Sequence, residues 1–270
     1  MKYLTAIFIT LALTFSLSSP VIADKNQASD FQQTLQLAKQ GNVIAQTNLG
    51  VMYVNGKGVK QDYQQAKLWF QKAAEQGNAI AQYNLGMMYY DGDGIKQDYQ
   101  QAKFWFQKAA KQGYALAQFN LGFMYDRGHG VKQDYPQAKF WFQKAAEQGV
   151  ALAQYNLGVM YDTGKGVKQD YQQAIYWYTK AAKQGYIEAQ NNLGAMYSIG
   201  QGVKQDYQQA IYWLQKAAVQ GDEKAQFSLG MLYYEGKGVS KSLSKAKEYF
   251  KQACDNGVQN GCHNYQVLSQ

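Results

Sequence analysis

The stretch that decides the fold runs Ala81-Gln-Tyr-Asn-Leu-Gly-Met-Met-Tyr-Tyr90, then Gly92-Asp-Gly94, then Asp98-Tyr-Gln-Gln-Ala-Lys-Phe-Trp-Phe-Gln-Lys-Ala-Ala110. Its opening Ala-Gln-x-x-Leu-Gly string returns every 36 residues, at Ala45, Ala81, Ala117, Ala153, Ala189 and Ala225. All five tryptophans share one repeat position: Trp69, Trp105, Trp141, Trp177 and Trp213. A fixed period of this length is typical of a stacked repeat architecture.

Each unit is predicted to contain two helices. Residues at i, i+4, i+7 and i+8 from Ala81 form one apolar stripe, and the glycines after Tyr90 end that helix. Asp98 is predicted to cap the second helix, with Gln101 completing a capping box. Gly86 lies inside the first helix, where glycine is unfavourable, which indicates the close approach of a neighbouring backbone. One helix pair cannot bury both stripes, so stacked pairs are expected.

The same motifs resemble one known family. Ala-Gln-x-Asn-Leu-Gly-x-Met-Tyr, Gly-x-Gly-Val, Asp-Tyr-x-x-Ala and Lys-Ala-Ala-x-x-Gly are similar to the Sel-one-like repeat (SLR) family, which is related to tetratricopeptide repeats. The resemblance implies an all-α, right-handed α/α superhelical solenoid used as a protein-binding scaffold. Exported bacterial members resemble envelope adaptors and factors that engage host proteins. We expect six 36-residue helix-pair units, about 45–80, 81–116, 117–152, 153–188, 189–224 and 225–260, between half-unit caps at about 28–44 and 258–268.

The N-terminus is predicted to be a secretory signal peptide over residues 1–23. Lys2 supplies the positive region, an apolar stretch extends from Leu4 to Leu17, and Ala23 offers a small residue for cleavage. The apolar stretch is short for a membrane span, so cleavage is favoured over an uncleaved anchor. The mature chain, which contains the solenoid over residues 24–268, is therefore expected in the periplasm or outside the cell, without a membrane span.

The chain is basic, with a net charge of +8. A basic exported protein can favour anionic partners such as nucleic acid, anionic lipid or acidic glycans, but no long Lys or Arg run exists, which favours a mixed, solvated surface. One lysine recurs in the loop between the helices, at Lys60, Lys96, Lys132, Lys168 and Lys204. An aspartate follows each by two residues, and Arg127 is the only arginine, so we expect a solvated edge and no nucleic-acid partner.

Three positions of the first helix vary between units while their neighbours hardly change. They are spaced i, i+4, i+7 and share one face. The resemblance implies that first helices line the concave side, which makes these positions a candidate groove for a protein or peptide partner of a monomeric chain. The alternative, that the rings pack between adjacent units, remains open. The candidate groove residues are Tyr83, Met87, Tyr90, Phe119, Phe123, Asp126, Tyr155, Asp162, Asn191 and Phe227.

The second helices are predicted to present a solvated outer face rich in Lys, Gln and Glu. Two units depart from this pattern, with Ile175-Tyr176 and Ile211-Tyr212. Exposure of these pairs would create an apolar patch. Extra packing is the favoured interpretation.

Cys254 and Cys262 are the only cysteines. An oxidising compartment favours their pairing, and the C-terminal unit resembles cysteine-rich exported relatives in which two cysteines eight apart link helices, so we expect a disulfide. A metal site with His263 would lack a fourth ligand.

No catalytic residues, metal or cofactor are predicted. Ser242-Leu-Ser-Lys245 matches a Ser-x-x-Lys motif, and some cysteine-rich relatives are described as β-lactamase-like or penicillin-binding, which gives the alternative function. Ser242 also occupies the position of the helix cap, which favours the structural role. A non-enzymatic scaffold is the preferred prediction, because near-copies of one unit supply the same groups repeatedly and not a converging set.

Overall fold

The computed structural model describes the backbone of residues 20–270 and the side chains of residues 27–270. Residues 1–19, and with them most of the predicted signal peptide, lie outside this range. The described residues form fourteen helices and no strand. They are α1 Pro20–Lys39, α2 Val43–Asn55, α3 Tyr63–Glu75, α4 Ala79–Asp91, α5 Tyr99–Lys111, α6 Ala115–Arg127, α7 Tyr135–Glu147, α8 Ala151–Thr163, α9 Tyr171–Lys183, α10 Ile187–Ile199, α11 Tyr207–Val219, α12 Glu223–Glu235, α13 Leu243–Asp255 and α14 Gln259–Val267.

The chain divides into two compact units, one ending at Asn78 and one running from Ala79 to Gln270. The first contains α1 to α3 around a small core of Phe31, Leu49, Met52 and Trp69. The second contains α4 to α14, arranged as helix pairs that pack in chain order. In the second unit consecutive pairs pack against each other. Trp141 of one pair, for example, contacts the core that contains Phe106 of the preceding pair. This stacking of helix pairs is the solenoid arrangement predicted from the period.

Aspartate caps begin the second helices as predicted, but the capping box does not form. The Asp98 carboxylate accepts hydrogen bonds from the backbone amides of Gln100 and Gln101 at 2.9 and 3.0 Å. The Asp98 amide, which the box would pair with the Gln101 side chain, instead donates to the Tyr89 carbonyl at 2.8 Å. The same bond recurs in every pair, so the cap residue ties the end of the loop back to the first helix.

The glycine inside each first helix faces a side chain rather than the backbone that the sequence suggested. A Cβ atom on Gly86 would lie 2.6 Å from Cδ1 and Cε1 of Phe106, and one on Gly122 would lie 2.6 Å from Cδ1 of Phe142. These rings are fully buried. The missing side chain therefore lets a large ring of the second helix seat directly against the first helix.

The C-terminal end closes with a disulfide. Cys254 in α13 pairs with Cys262 in α14, with a Cα–Cα distance of 4.5 Å, as expected. Gly261 is buried between the two helices. A Cβ atom there would lie only 3.1 Å from the backbone of Phe250 and of Cys254, so the absence of a side chain allows the helices to approach. Within residues 20–270, no helix combines the length and the apolar character needed to cross a bilayer.

Candidate functional site

The three variable positions of the first helices are those of Tyr83, Met87 and Tyr90 in α4. Their equivalents in successive repeats form a first, a second and a third row, which differ in accessibility. We call this surface the first-helix face. The first row packs against the second helix of its own pair: the rings of Tyr83, Phe119, Tyr155 and Phe227 lie 5.7–5.8 Å from those of Phe106, Phe142, Tyr178 and Phe250.

The first row also packs between pairs. The ring centroids of Tyr83 and Tyr114 are 5.1 Å apart, and Tyr114 directly precedes the first helix of the next pair. The ring centroids of Tyr155 and Tyr186, at the equivalent positions, are 4.9 Å apart. Burial, with Tyr114 close by, raises the pKa of the Tyr83 hydroxyl to about 12. Asn191 places an amide, and Thr47 a hydroxyl, where the other four pairs have a ring. The packing alternative thus accounts for much of this row.

The second row lies nearer the surface. Met87 and Phe123 are half-buried, and so is Met231 in the last full pair. The Asn120 amide donates to the sulfur of Met87 at 3.0 Å, which fixes that side chain. The guanidinium of Arg127 lies 5.5 Å from the centre of the Phe123 ring. This row presents thioether, aromatic and cationic groups that a partner can contact.

The third row joins consecutive repeats through contacts that we call turn pairs. Each pair links a first-helix residue to the middle residue of the next repeat's Gly-x-Gly turn, 39 positions on. The Tyr90 hydroxyl lies 2.6 Å from Nδ1 of His129, Nζ of Lys165 lies 3.0 Å from Oδ1 of Asp126, and the Gln201 amide lies 3.4 Å from Oδ1 of Asp162.

The turn pairs were not predicted from the sequence, because each uses different chemistry at the same register. These contacts bury Tyr90 and Asp126. The two side chains therefore stabilise the first-helix face from below and are not available for a partner to contact. Asp126 also forms an ion pair with Arg127, whose Nε lies 3.2 Å from Oδ2 of Asp126. The available signal was the matching variation of two positions 39 residues apart.

His129 closes an aromatic pocket at the edge of the second and third rows. Its ring stacks on Tyr99 with centroids 5.1 Å apart and meets Phe123 edge-on at 6.0 Å. Burial in this pocket, together with nearby Arg127, lowers the pKa of the imidazole below its usual value. The pocket occurs at one place in an otherwise repetitive surface.

The second helices differ from the sequence prediction. The side chains of Tyr176 and Tyr212 are 48% and 49% exposed, so the expected extra packing is wrong for the tyrosines, while Ile211 is buried as expected. Phe104 and Phe140 are exposed at the same register and were missed. Adjacent helix residues point about 100° apart. The following tryptophan packs inward in each case, buried except for half-buried Trp141, so each of these rings points outward.

The Ser-x-x-Lys motif serves the helix cap. Oγ of Ser242 accepts from the Lys245 amide at 3.3 Å, and Nζ of Lys245 lies 5.1 Å from the centre of the Tyr233 ring. Both side chains therefore have structural partners. Cys254 and Cys262 are bonded to each other, and in the part of the chain that the structure describes no three metal-ligating side chains cluster.

The repeat model of the Sel1 family matches six consecutive segments, residues 43–78, 79–114, 115–150, 151–186, 187–222 and 223–258. The chain belongs to the Sel1 repeat family. Sel1 repeats typically form protein–protein interaction scaffolds. Comparison with curated proteins finds no match.

Two solved Sel1 structures are similar over most of the chain. A protective antigen of uropathogenic Escherichia coli with an SLR fold is 41% identical, with a TM-score of 0.86 over 88% of this chain and 51% of that one. A Sel1 repeat protein from Oxalobacter formigenes is 34% identical, with a TM-score of 0.79 over 92% of this chain and 73% of that one. The chain thus spans about half the length of the E. coli antigen.

Proposed function

We propose that this Sel1 repeat chain is an exported, non-enzymatic scaffold that binds a protein or peptide, in the cell envelope or outside the cell, through its first-helix face. The observation that carries the proposal is where the repeats differ from one another. Residues such as Leu121 and Gly122, which hardly change between units, are buried, whereas variation concentrates on one face that includes half-buried Met87 and Phe123. Variation of the half-buried second-row side chains changes the groups that the surface presents and leaves the buried core unchanged.

The chemistry of the face supports a protein partner. Aromatic side chains, methionine and arginine are enriched at the buried centres of protein interfaces. The second row and the neighbouring Arg127 provide all three within one region, since Phe123 and Arg127 lie beside each other and Met87 belongs to the preceding repeat. The packed first row beneath them holds the face rigid, which lowers the entropy lost on binding.

Export is supported by two features of the sequence and structure. The apolar stretch from Leu4 to Leu17 has the length and flanks of a signal peptide. The Cys254–Cys262 disulfide is of the kind that persists in oxidising compartments. We therefore place the partner in the periplasm or the extracellular medium.

Affinity capture with matched variants tests the proposal. The mature chain is used as bait against periplasmic and culture fractions, and chemical cross-linking locates the captured partner on the bait. Phe123→Ser with Arg127→Ser removes a ring and a cation from the first-helix face. Leu68→Ser with Lys72→Ser removes an exposed apolar side chain and a cation from the second helix α3 and serves as the control.

We expect the first variant to lose the partner at least ten-fold and the control to retain it, with cross-links on α4, α6 or α8. Circular dichroism of both variants checks that helix content is unchanged. Equal capture by wild type and the first variant, or cross-links confined to second helices, would contradict the proposed site.

A further inference from the structure

A row of exposed aromatic rings crosses the second helices of the unit from Ala79 to Gln270. The four rings share one repeat position and are 45–49% exposed: Phe104, Phe140, Tyr176 and Tyr212. Each stands edge-on to the tryptophan that follows it, with centroids 4.9 Å apart and planes at 79–80°. Because these tryptophans pack into the core, they hold the outer rings in one orientation.

A lysine accompanies every ring of this row. It lies four residues further along the helix, and its Nζ is 4.5–5.0 Å from the ring centre, in the pairs Phe104–Lys108, Phe140–Lys144, Tyr176–Lys180 and Tyr212–Lys216. We call the four pairs the aromatic–lysine ladder. One rung is therefore a half-exposed phenylalanine or tyrosine ring beside a lysine, repeated on four consecutive helix pairs.

The charge of the basic chain concentrates on these helices. Together α5, α7, α9 and α11 carry eight lysines and a single acidic residue, Glu147. The capping aspartates lie at the opposite ends of the helices from the ladder lysines and bond to backbone amides. The ladder thus has a positive potential with little local compensation, which favours an anionic partner.

The periodicity of the ladder indicates which anionic partner fits. A ligand that itself repeats can contact several equivalent rungs at once. Many weak contacts with one polymer then add up to a high overall affinity. A chain of acidic sugars offers an apolar ring face for each aromatic side chain and a carboxylate for each lysine. Nucleic acid is also a repeating anion, but its sites usually add arginine, and the single Arg127 lies on α6.

We propose that the aromatic–lysine ladder binds an acidic polysaccharide, with sugar rings against the exposed aromatic rings and sugar carboxylates paired with the ladder lysines. The register defines the ends of the surface. At the same repeat position the first pair has Leu68 and the last has Glu248, so neither carries a ring. The site lies on the second helices and is separate from the first-helix face, so a partner protein and a glycan can bind together.

Binding to polygalacturonate, compared with neutral dextran, tests the proposal by affinity electrophoresis and calorimetry of the mature chain. We expect polygalacturonate to retard the chain and dextran to leave it unaffected. Phe140→Ser with Tyr176→Ser should weaken binding at least ten-fold, and so should Lys144→Gln with Lys180→Gln. The lysine variant leaves all rings in place, so the test stands even where the ring variant loses helix content.

Matched controls separate the ladder from general charge and general aromaticity. Lys103→Gln with Lys139→Gln removes two lysines from the same helices whose Nζ atoms lie instead over Tyr125 and Tyr161. Tyr234→Ser removes a ring of similar exposure from α12. Both controls should bind polygalacturonate within two-fold of wild type.

Three results would overturn the proposal: no retardation by polygalacturonate, equal losses in ladder and control variants, or tighter binding of a poly(dT) oligonucleotide or of polyglutamate than of polygalacturonate. The first two remove the site, and the third assigns it to another polyanion. None of them affects the protein-binding proposal, whose test variant lies on the first helix α6 and whose control lies outside the ladder.

Discussion

At the level of single residues, a buried glutamine explains one of the strongest features of the repeat. The Gln154 amide donates to the Ala146 carbonyl of the preceding pair at 3.0 Å, and its Oε1 accepts from the Gln184 amide of its own pair at 2.8 Å. The same two bonds recur in neighbouring repeats. The sequence predicted a residue that hardly changes but not its role, because a polar residue on an apolar stripe does not reveal its partners.

Replacing this glutamine should destabilise the stack. In Gln154→Ala the Ala146 carbonyl keeps its hydrogen bond from the Gly149 amide but loses the bond from the next pair, and the Gln184 amide loses its acceptor. Each lost hydrogen bond costs about 0.5–1.5 kcal/mol. Urea denaturation followed by circular dichroism measures the change in the unfolding midpoint. Gln143→Ala is the control, because that exposed amide bonds only to Glu147 on the same helix. Equal effects of the two changes would show that the buried bonds contribute nothing specific.

His129 should make the fold sensitive to acid. Its pKa is lowered in the folded state by burial and by Arg127, whereas the unfolded chain keeps a value of about 6.5. Below that pH the unfolded state binds more protons than the folded state, so stability falls as the pH decreases. His129→Gln removes this contribution.

The measurement compares melting temperatures at pH 7.5 and pH 5. Wild type should lose more stability between the two values than His129→Gln, and the exposed His263 provides the control variant His263→Gln, which should behave as wild type. A wild-type and His129→Gln pair with the same pH dependence would refute the assignment.

At the level of helices, the glycine inside each first helix sets how closely a pair can pack. Alanine normally stabilises a helix relative to glycine by about 1 kcal/mol. Gly122→Ala should do the reverse, because its Cβ would lie 2.6 Å from the fully buried Phe142 ring, and overpacking costs about 1–3 kcal/mol. In a Phe142→Ala background the same change should cost much less. Denaturation of the four proteins of this double-mutant cycle measures the coupling, and additive effects would exclude the proposed contact.

The disulfide should act locally on the last two helices. Removing it with Cys254→Ala and Cys262→Ala leaves α14 held only by packing, in which Tyr265 and Leu268 contact the core around Phe250. Closing a loop of this size contributes roughly 2–3 kcal/mol. Hydrogen exchange should rise in residues 259–267 and stay unchanged in residues 115–150. Uniformly faster exchange would mean that the bond stabilises the whole stack and not its end.

The helices themselves were predictable, and their exposed faces only in part. Repeated caps and glycines mark where helices begin and end, because those residues act locally. Which side chain of a helix faces solvent depends on where the neighbouring pair sits. Phe104 and Trp105 are adjacent aromatic residues, yet Trp105 is buried and Phe104 is 45% exposed. The candidate groove was affected in the same way, since Asp126 is buried by Lys165 from the next repeat.

At the level of the whole molecule, the contacts between repeats fall into two kinds. The glutamine bonds to the preceding pair are the same at Gln118, Gln154, Gln190 and Gln226. These repeats can therefore stack in more than one order, as expected for a nearest-neighbour array. The turn pairs differ, as Tyr90 with His129, Asp126 with Lys165 and Asp162 with Gln201. The shared bonds thus support stacking in general, and the turn pairs distinguish the natural order of the repeats from other orders.

Exchanging residues 115–150 with 151–186 tests whether the turn pairs encode that order. The exchanged chain should keep its helix content, because all glutamine bonds can form, but Asp126 would face Gln201 and lose its lysine. Loss of a partner by a buried carboxylate should lower stability by about 1–3 kcal/mol. Lys165→His, His129→Gln and Gln201→Lys together restore all three turn pairs in the exchanged chain and should recover most of the loss. If the exchanged chain is as stable as wild type in denaturant, repeat order does not depend on the turn pairs. If the exchanged chain is less stable and the three substitutions do not restore its stability, other contacts between repeats determine the order.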